Sequence, residues 1–192
     1  MKFGSAGKSM RLFTGLDLPG DVIAKMEDLL ARLRPTAPLR WSPAANLHIT
    51  TKFIGAWPEE RLDELKASLG GLPARDPISV HVRNIGAFLN PNKPRFFWGG
   101  VDAPGLAELA ADTDSATAAL GVAGESQAYT PHITIARVKD GFDITALRQV
   151  IAGEKSLDFG RFEARSFFLY SSQLQSAGSV YTKLAEFPLS HS

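Results

Sequence analysis

Two tripeptides in this chain share a spelling with chemical content, His48-Ile49-Thr50 and His132-Ile133-Thr134. On a β-strand, positions i and i+2 point to the same face, so each tripeptide would present an imidazole beside a hydroxyl while its isoleucine turns into the core. Histidine is the side chain whose ordinary pKa, about 6.5, lets it give or take a proton near neutrality. A pair of them suits acid–base work on a phosphodiester, with one ring taking a proton while its twin gives one. The two threonine hydroxyls can hold non-bridging phosphate oxygens and keep phosphorus between the rings, a task that needs no metal. One His-x-Thr on a strand is more often an ordinary polar face. Two copies with matching neighbours, 84 residues apart, read as the halves of a duplication enclosing one cleft.

Composition removes most other chemistry. The chain has no cysteine, which excludes disulfides, thiol nucleophiles, zinc-thiolate sites and iron–sulfur clusters. A zinc site generally needs three protein ligands, and only two histidines converge, so neither metal nor cofactor is expected. His81, on the polar face of an alternating strand, and His191, in the terminal tail, read as surface residues. The 192 residues, 44% apolar and 21% charged, fit an ordinary soluble chain with one substantial core. No run approaches the 18 or so apolar residues of a membrane span, and the N-terminus lacks a signal-peptide pattern, so a cytoplasmic protein without a membrane partner is expected. Nothing in the sequence demands oligomerisation, and a monomer is expected.

A net charge of +1 argues against coating long nucleic acid by phosphate neutralisation. Residues 1–96 nevertheless hold 14 Lys and Arg against 9 Asp and Glu, whereas residues 97–192 hold 7 against 11. An anion-attracting face and plain solvated surface on two lobes are equally compatible with that imbalance.

The elements that must position the tripeptides alternate strand and helix. Residues 1–10 are small and polar and are expected as a flexible extension; two residues separate Gly4 from Gly7, where a phosphate-binding loop has four between its glycines. A strand over 11–18 ends at Pro19, and Asp21 caps a helix whose apolar residues Val22, Ile23, Met26, Leu29, Leu30 and Leu33 recur at helical spacing. A strand over 46–55 leads to a helix opened by Pro58 and stopped by Gly70 and Gly71. Residues 78–88 alternate as a half-buried strand, 95–101 form another, and 104–120 form an Ala-rich helix closed by Gly121. A strand over 132–138, a short helix over 143–151, and a final strand pair, 159–170 with 179–187, complete the chain. No linker rich in Pro, Gly and Ser divides it, so residues 11–192 are expected as a single mixed α/β domain.

Several segments beyond the tripeptides carry a family likeness. They are Arg11-Leu-Phe-Thr-Gly-Leu-Asp-Leu-Pro19, Asn46-Leu-His-Ile-Thr-Thr-Lys-Phe-Ile-Gly55, Gly86-Ala-Phe88 with Pro94-Arg95 and Trp98, Tyr129-Thr-Pro-His-Ile-Thr-Ile-Ala-Arg137, and Leu169-Tyr-Ser-Ser-Gln-Leu174 with Gly178, Tyr181 and Leu184. Through them the sequence resembles the 2H phosphoesterases, and within that superfamily the LigT-like RNA 2′,3′-cyclic phosphodiesterases, also called 2′,5′ RNA ligases.

The resemblance implies a bilobal α/β fold of two pseudo-symmetric antiparallel sheets with outer helices around a central cleft. It also implies metal-independent hydrolysis of a 2′,3′-cyclic phosphate, on an RNA 3′ end or a nucleoside, to a 2′-phosphate. His48 would act as general acid on O3′ and His132 as general base on water, with the opposite assignment also open. Thr50, Thr134 and Arg137 would bind substrate. On a regular strand Arg137 would face away from His132, so its role requires the strand to end or twist near Ala136. Phe13 and Phe53 could stack on a base or belong to the core. Thr51, where the family commonly has an apolar residue, and the small Thr14-Gly15 depart from the pattern. An esterase of another cyclic or 2′,5′-linked nucleotide, and a non-catalytic RNA-end binder, are the competing readings; the latter predicts loss of one His or Thr, and all four are present.

Overall fold

The computed structural model describes residues 8–88, 96–138, 143–176 and 178–190. Residues 1–7, Pro94, Arg95 and His191 therefore lie outside the described residues. In chain order the elements are β1 (Ser9–Asp17), α1 (Gly20–Leu33), β2 (Arg40–Trp41), β3 (His48–Pro58), α2 (Leu62–Gly70), β4 (Ile78–Phe88), β5 (Phe96–Asp102), α3 (Leu106–Ala118), β6 (His132–Arg137), α4 (Thr145–Gly153), β7 (Asp158–Ala164), β8 (Ser166–Gln175) and β9 (Gly178–Pro188). Two antiparallel sheets result, one in the order β3-β1-β8-β9 and one in the order β2-β6-β5-β4-β7. The mixed α/β architecture with two sheets is the one expected.

The lobes interlock because helices cross between them. The stripe Val22, Met26, Leu29, Leu30 and Leu33 is buried, and it lays α1 against β7 of the five-stranded sheet although α1 leaves from β1 of the other sheet. Conversely α3, which connects two strands of the five-stranded sheet, packs on β3 of the four-stranded one. Each helix face finds its apolar partner across the molecule, and the buried side chains join in one cluster spanning both sheets.

Several expectations need correction. Asp21 is not the helix cap: Pro19 precedes the first turn, and Asp21 sits within it, where its charge favours the helix's positive end. Pro58 closes β3 rather than opening a helix, and a three-residue 3₁₀ turn intervenes before α2. The run 159–170 is two strands, β7 pairing with β4 and β8 with β1, because the chain changes sheets at Arg165; apolar alternation does not report which partner a strand takes. His81 is buried, 6% exposed, with Nε2 3.1 Å from Asp158 Oδ2, since β4 is an interior strand flanked by both β5 and β7. Ser9 and Met10 already belong to β1, within the stretch read as an extension.

Candidate active site

His48 opens β3 and His132 opens β6, and the two strands are built alike for their first six residues. Each runs partly buried, buried, partly buried, buried, buried, exposed. Ile49 and Ile133 are fully buried, so the alternation expected for His-Ile-Thr holds through both threonines. A β-bulge then interrupts it. In β3 the register with β1 steps from Thr50 to Lys52, leaving Thr51 extra; in β6 the register with β5 steps from Thr134 to Ala136, leaving Ile135 extra. One extra residue reverses the facing of everything after it. Thr51 and Lys52 are therefore both buried, as are Ile135 and Ala136, and Phe53 and Arg137 return to the faces of their respective histidines. This is the twist that Arg137 required.

The departures from the family pattern meet at the first bulge. Thr14 and Thr51, both buried, bond to each other through their hydroxyls at 2.7 Å. Gly15 lets the strands approach closely, since a Cβ there would stand 2.6 Å from the Ile49 carbonyl oxygen. These three residues thus form one close-packed, hydrogen-bonded set at the bulge.

Both imidazoles are anchored in the same way. His48 Nδ1 donates to the Asn46 carbonyl at 2.7 Å, and His132 Nδ1 donates to the Thr130 carbonyl at 2.7 Å. A carbonyl only accepts, so the proton sits on Nδ1 and Nε2 is the working nitrogen of each neutral ring. His48 Nε2 lies 2.9 Å from Thr50 Oγ1. The anchors are themselves tied down: Asn46 Nδ2 donates to the Ser179 carbonyl at 2.7 Å, and the Tyr129 hydroxyl, beside Thr130, donates to the Thr50 carbonyl at 2.9 Å. The segment before the second signature is thereby fastened to the first. Ser42 Oγ donates to the Thr134 carbonyl at 2.8 Å, the corresponding tie on the other strand.

The surroundings of His48 are aromatic. Phe13 lies 4.8 Å from the imidazole centroid and stacks on Tyr170, and Tyr181 meets the imidazole edge-on at 5.2 Å. Asp17 is the direct cross-strand partner of His48, and its carboxylate accepts from the Tyr170 hydroxyl and the Lys183 ammonium. Burial holds the His48 pKa below the ordinary imidazole value; the Asn46 carbonyl and the Asp17 charge pull it up, and the charge of His132 pushes it down. That last influence puts the two rings within electrostatic reach of each other.

A cleft of about 590 Å³ opens between β3, α3 and residues 125–130, with Thr50 and His132 both on its wall. Phe53, 61% exposed, forms one rim, and Ala107 and Ala111 belong to the α3 wall. Phe53 is therefore not core, whereas Phe13 is 4% exposed and belongs to it. Lys52, 2% exposed, donates to the Ala123 carbonyl and bridges Asp114 and Glu125, closing the cleft's inner side. Sequence reasoning missed Asp17, Tyr170, Lys52 and the two bulges: a bulge leaves no mark on composition, and a buried lysine is visible only once its carboxylates are placed. Among the described residues no group of three His, Asp or Glu is arranged to hold a metal ion, and no helix is long and apolar enough to cross a membrane.

Known proteins are similar to this chain in sequence and fold. The LigT-like phosphoesterase family matches the chain over residues 16–98 and 101–181, one span around each signature. The RNA 2′,3′-cyclic phosphodiesterase of Methanocaldococcus jannaschii is 33% identical over 92% of this chain and 99% of its own length, and that of Archaeoglobus fulgidus is 31% identical over 93% and 99%. The crystal structure of TT0787 from Thermus thermophilus matches with a TM-score of 0.77 at 29% identity, covering 94% of this chain and 98% of that one. That of E. coli LigT complexed with phosphate matches with a TM-score of 0.76 at 25% identity, covering 96% and 100%. Paired signatures, paired sheets and these relatives agree: the chain belongs to the LigT-like phosphoesterases.

Proposed function

We propose that this protein hydrolyses 2′,3′-cyclic phosphate, at an RNA 3′ end or on a nucleoside, to the 2′-phosphomonoester, and that His48 and His132 do so without a metal. The observation that carries the reading is the paired anchoring: two imidazoles, each with Nδ1 fixed on a carbonyl, which makes Nε2 the proton-exchanging nitrogen, come from two like-built strands within electrostatic reach of each other. The curated relatives at 33% and 31% identity, both named RNA 2′,3′-cyclic phosphodiesterase, support the activity, and the phosphate complex of E. coli LigT supports an anion in this fold. Thr134 donates to a non-bridging oxygen of the phosphate, Thr50 does so once its hydroxyl turns from His48 Nε2 to the substrate, and Arg137 binds substrate on the His132 side of the site. Residues 11–192 act as one bilobal unit, since each lobe supplies one signature.

Of the two orientations, the surroundings favour His48 as base. Rings on two sides and burial keep it neutral at rest, and neutral imidazole is the form that takes a proton from water. His132, in protonated form, then delivers a proton to O3′ as the P–O3′ bond breaks. This reverses the order that the resemblance put first. The exposed Phe53 offers a ring face to the terminal base.

The test is incubation of the purified protein with the four nucleoside 2′,3′-cyclic phosphates in EDTA, with 2′- and 3′-monophosphates resolved. Formation of the 2′-phosphate is expected; formation of the 3′-phosphate, or loss of activity on chelation, overturns the mechanism.

A further inference from the structure

The two ends of the site carry opposite charge. Past Thr50, β3 leads to the cleft with Phe53, where Lys52 is shared by Asp114 and Glu125, leaving one surplus negative charge. Past Thr134, β6 leads to Arg137, whose direct cross-strand partner is Arg40 of β2. Directly opposed residues project to the same side of a sheet. The bulge sets Arg137 on the face of His132 and Thr134, so Arg40 is there as well. Both are exposed, and among the described residues neither forms an ion pair. The Arg137 guanidinium rests over the Phe96 ring at 4.9 Å from its centroid, which steadies it in place. Like charges directly opposite each other destabilise a strand pair, and a bound anion removes that cost.

We propose that Arg40 and Arg137 form a subsite for the phosphodiester that joins the terminal nucleotide to the one before it. The preferred substrate is then an oligonucleotide ending in a 2′,3′-cyclic phosphate, in preference to the mononucleotide; this rests on the two-histidine reading above. Arg137 stands two register steps beyond Thr134, about 7 Å at the usual strand rise, the scale of one nucleotide along its backbone. The surplus negative charge at the other end repels phosphate and admits an uncharged base, which sets the direction of the chain: base toward Phe53, preceding phosphate toward the arginines. Arg40 is a substrate-binding residue on this reading and takes no part in proton transfer.

The experiment compares three substrates: a nucleoside 2′,3′-cyclic phosphate, a dinucleotide ending in the same group, and that dinucleotide with a neutral methylphosphonate linkage. Arg40→Gln is expected to lower kcat/KM on the normal dinucleotide about tenfold, the loss of one charged contact, and to leave the other two substrates unchanged. The log–log salt slope for the dinucleotide flattens by about 0.7, one single-strand phosphate contact. On wild-type protein the methylphosphonate costs a similar factor, which keeps the test decisive should the variant not fold. Equal loss on all three substrates, or no loss on any, overturns the subsite while leaving the hydrolytic reading intact. Failure of wild-type protein to cleave any of the three substrates overturns both.

Discussion

Strands β3 and β6 begin as copies and end as opposites. Both carry His-Ile-Thr, both anchor the imidazole on the carbonyl two residues earlier, and both bulge after the threonine. From there they diverge: Phe53 emerges from one and Arg137 from the other, beside an acidic pair and a second arginine respectively. The histidines differ too, since His48 is enclosed by Phe13, Tyr170 and Tyr181, which depress its pKa by burial. A pseudo-symmetric frame thus holds an asymmetric site. That suits the substrate and reaction proposed above, with a base on one side, a phosphate chain on the other, and one acid and one base between them.

The comparison breaks first at the histidines. His48→Ala and His132→Ala are each expected to lower turnover by at least about 10²-fold, with Thr50→Ala and Thr134→Ala milder, at about 10–10³-fold. Wild-type rates in either histidine variant would remove that residue from the site. A substrate with sulfur at the bridging 3′ position separates the two roles, because a thiolate leaves without a proton: it should restore much of the rate of His132→Ala and none of that of His48→Ala. The reverse pattern would reinstate His48 as the acid.

A smaller effect is expected from Asp17→Asn. The Asp17 charge raises the His48 pKa, so its removal lowers that pKa further, and the acid limb of kcat/KM, already below the ordinary value of about 6.5, moves to still lower pH. A limb that stays in place, read from a pH–rate profile, would detach Asp17 from the tuning of His48. The smallest effect concerns the bulge on β3. Thr14→Val or Thr51→Val alone leaves one buried hydroxyl without its partner and should cost about 1–3 kcal/mol, whereas the double variant should come close to neutral by denaturant melts. Additive losses would show that the hydroxyl pair does not act as a unit.

Much of the candidate site is legible in the sequence, because a period-two pattern reports facing directly. His48, Thr50, His132 and Thr134 occupy the faces their spacing requires, and Ile49 and Ile133 are buried as the same spacing demands. Helical spacing likewise located the buried stripe of α1 from Val22 to Leu33. His81 shows where the method stops: its alternation is that of a surface residue, and it is buried because β4 has a neighbour on each side. The run 159–170 read as one strand for the same reason, since its split between sheets depends on which strands it meets.

Residue types and their local order were sufficient to place two imidazoles and two hydroxyls on strand faces, in a chain without thiols, whichever way the lobes close. Tertiary structure alone decided which of them differ. Strand register created the bulges that return Phe53 and Arg137 to the faces of His48 and His132, and packing enclosed one histidine in rings while chain crossing set Arg40 beside Arg137. These depend on contacts between residues distant along the chain, and facing, burial and charge pairing are properties of such contacts rather than of any single segment.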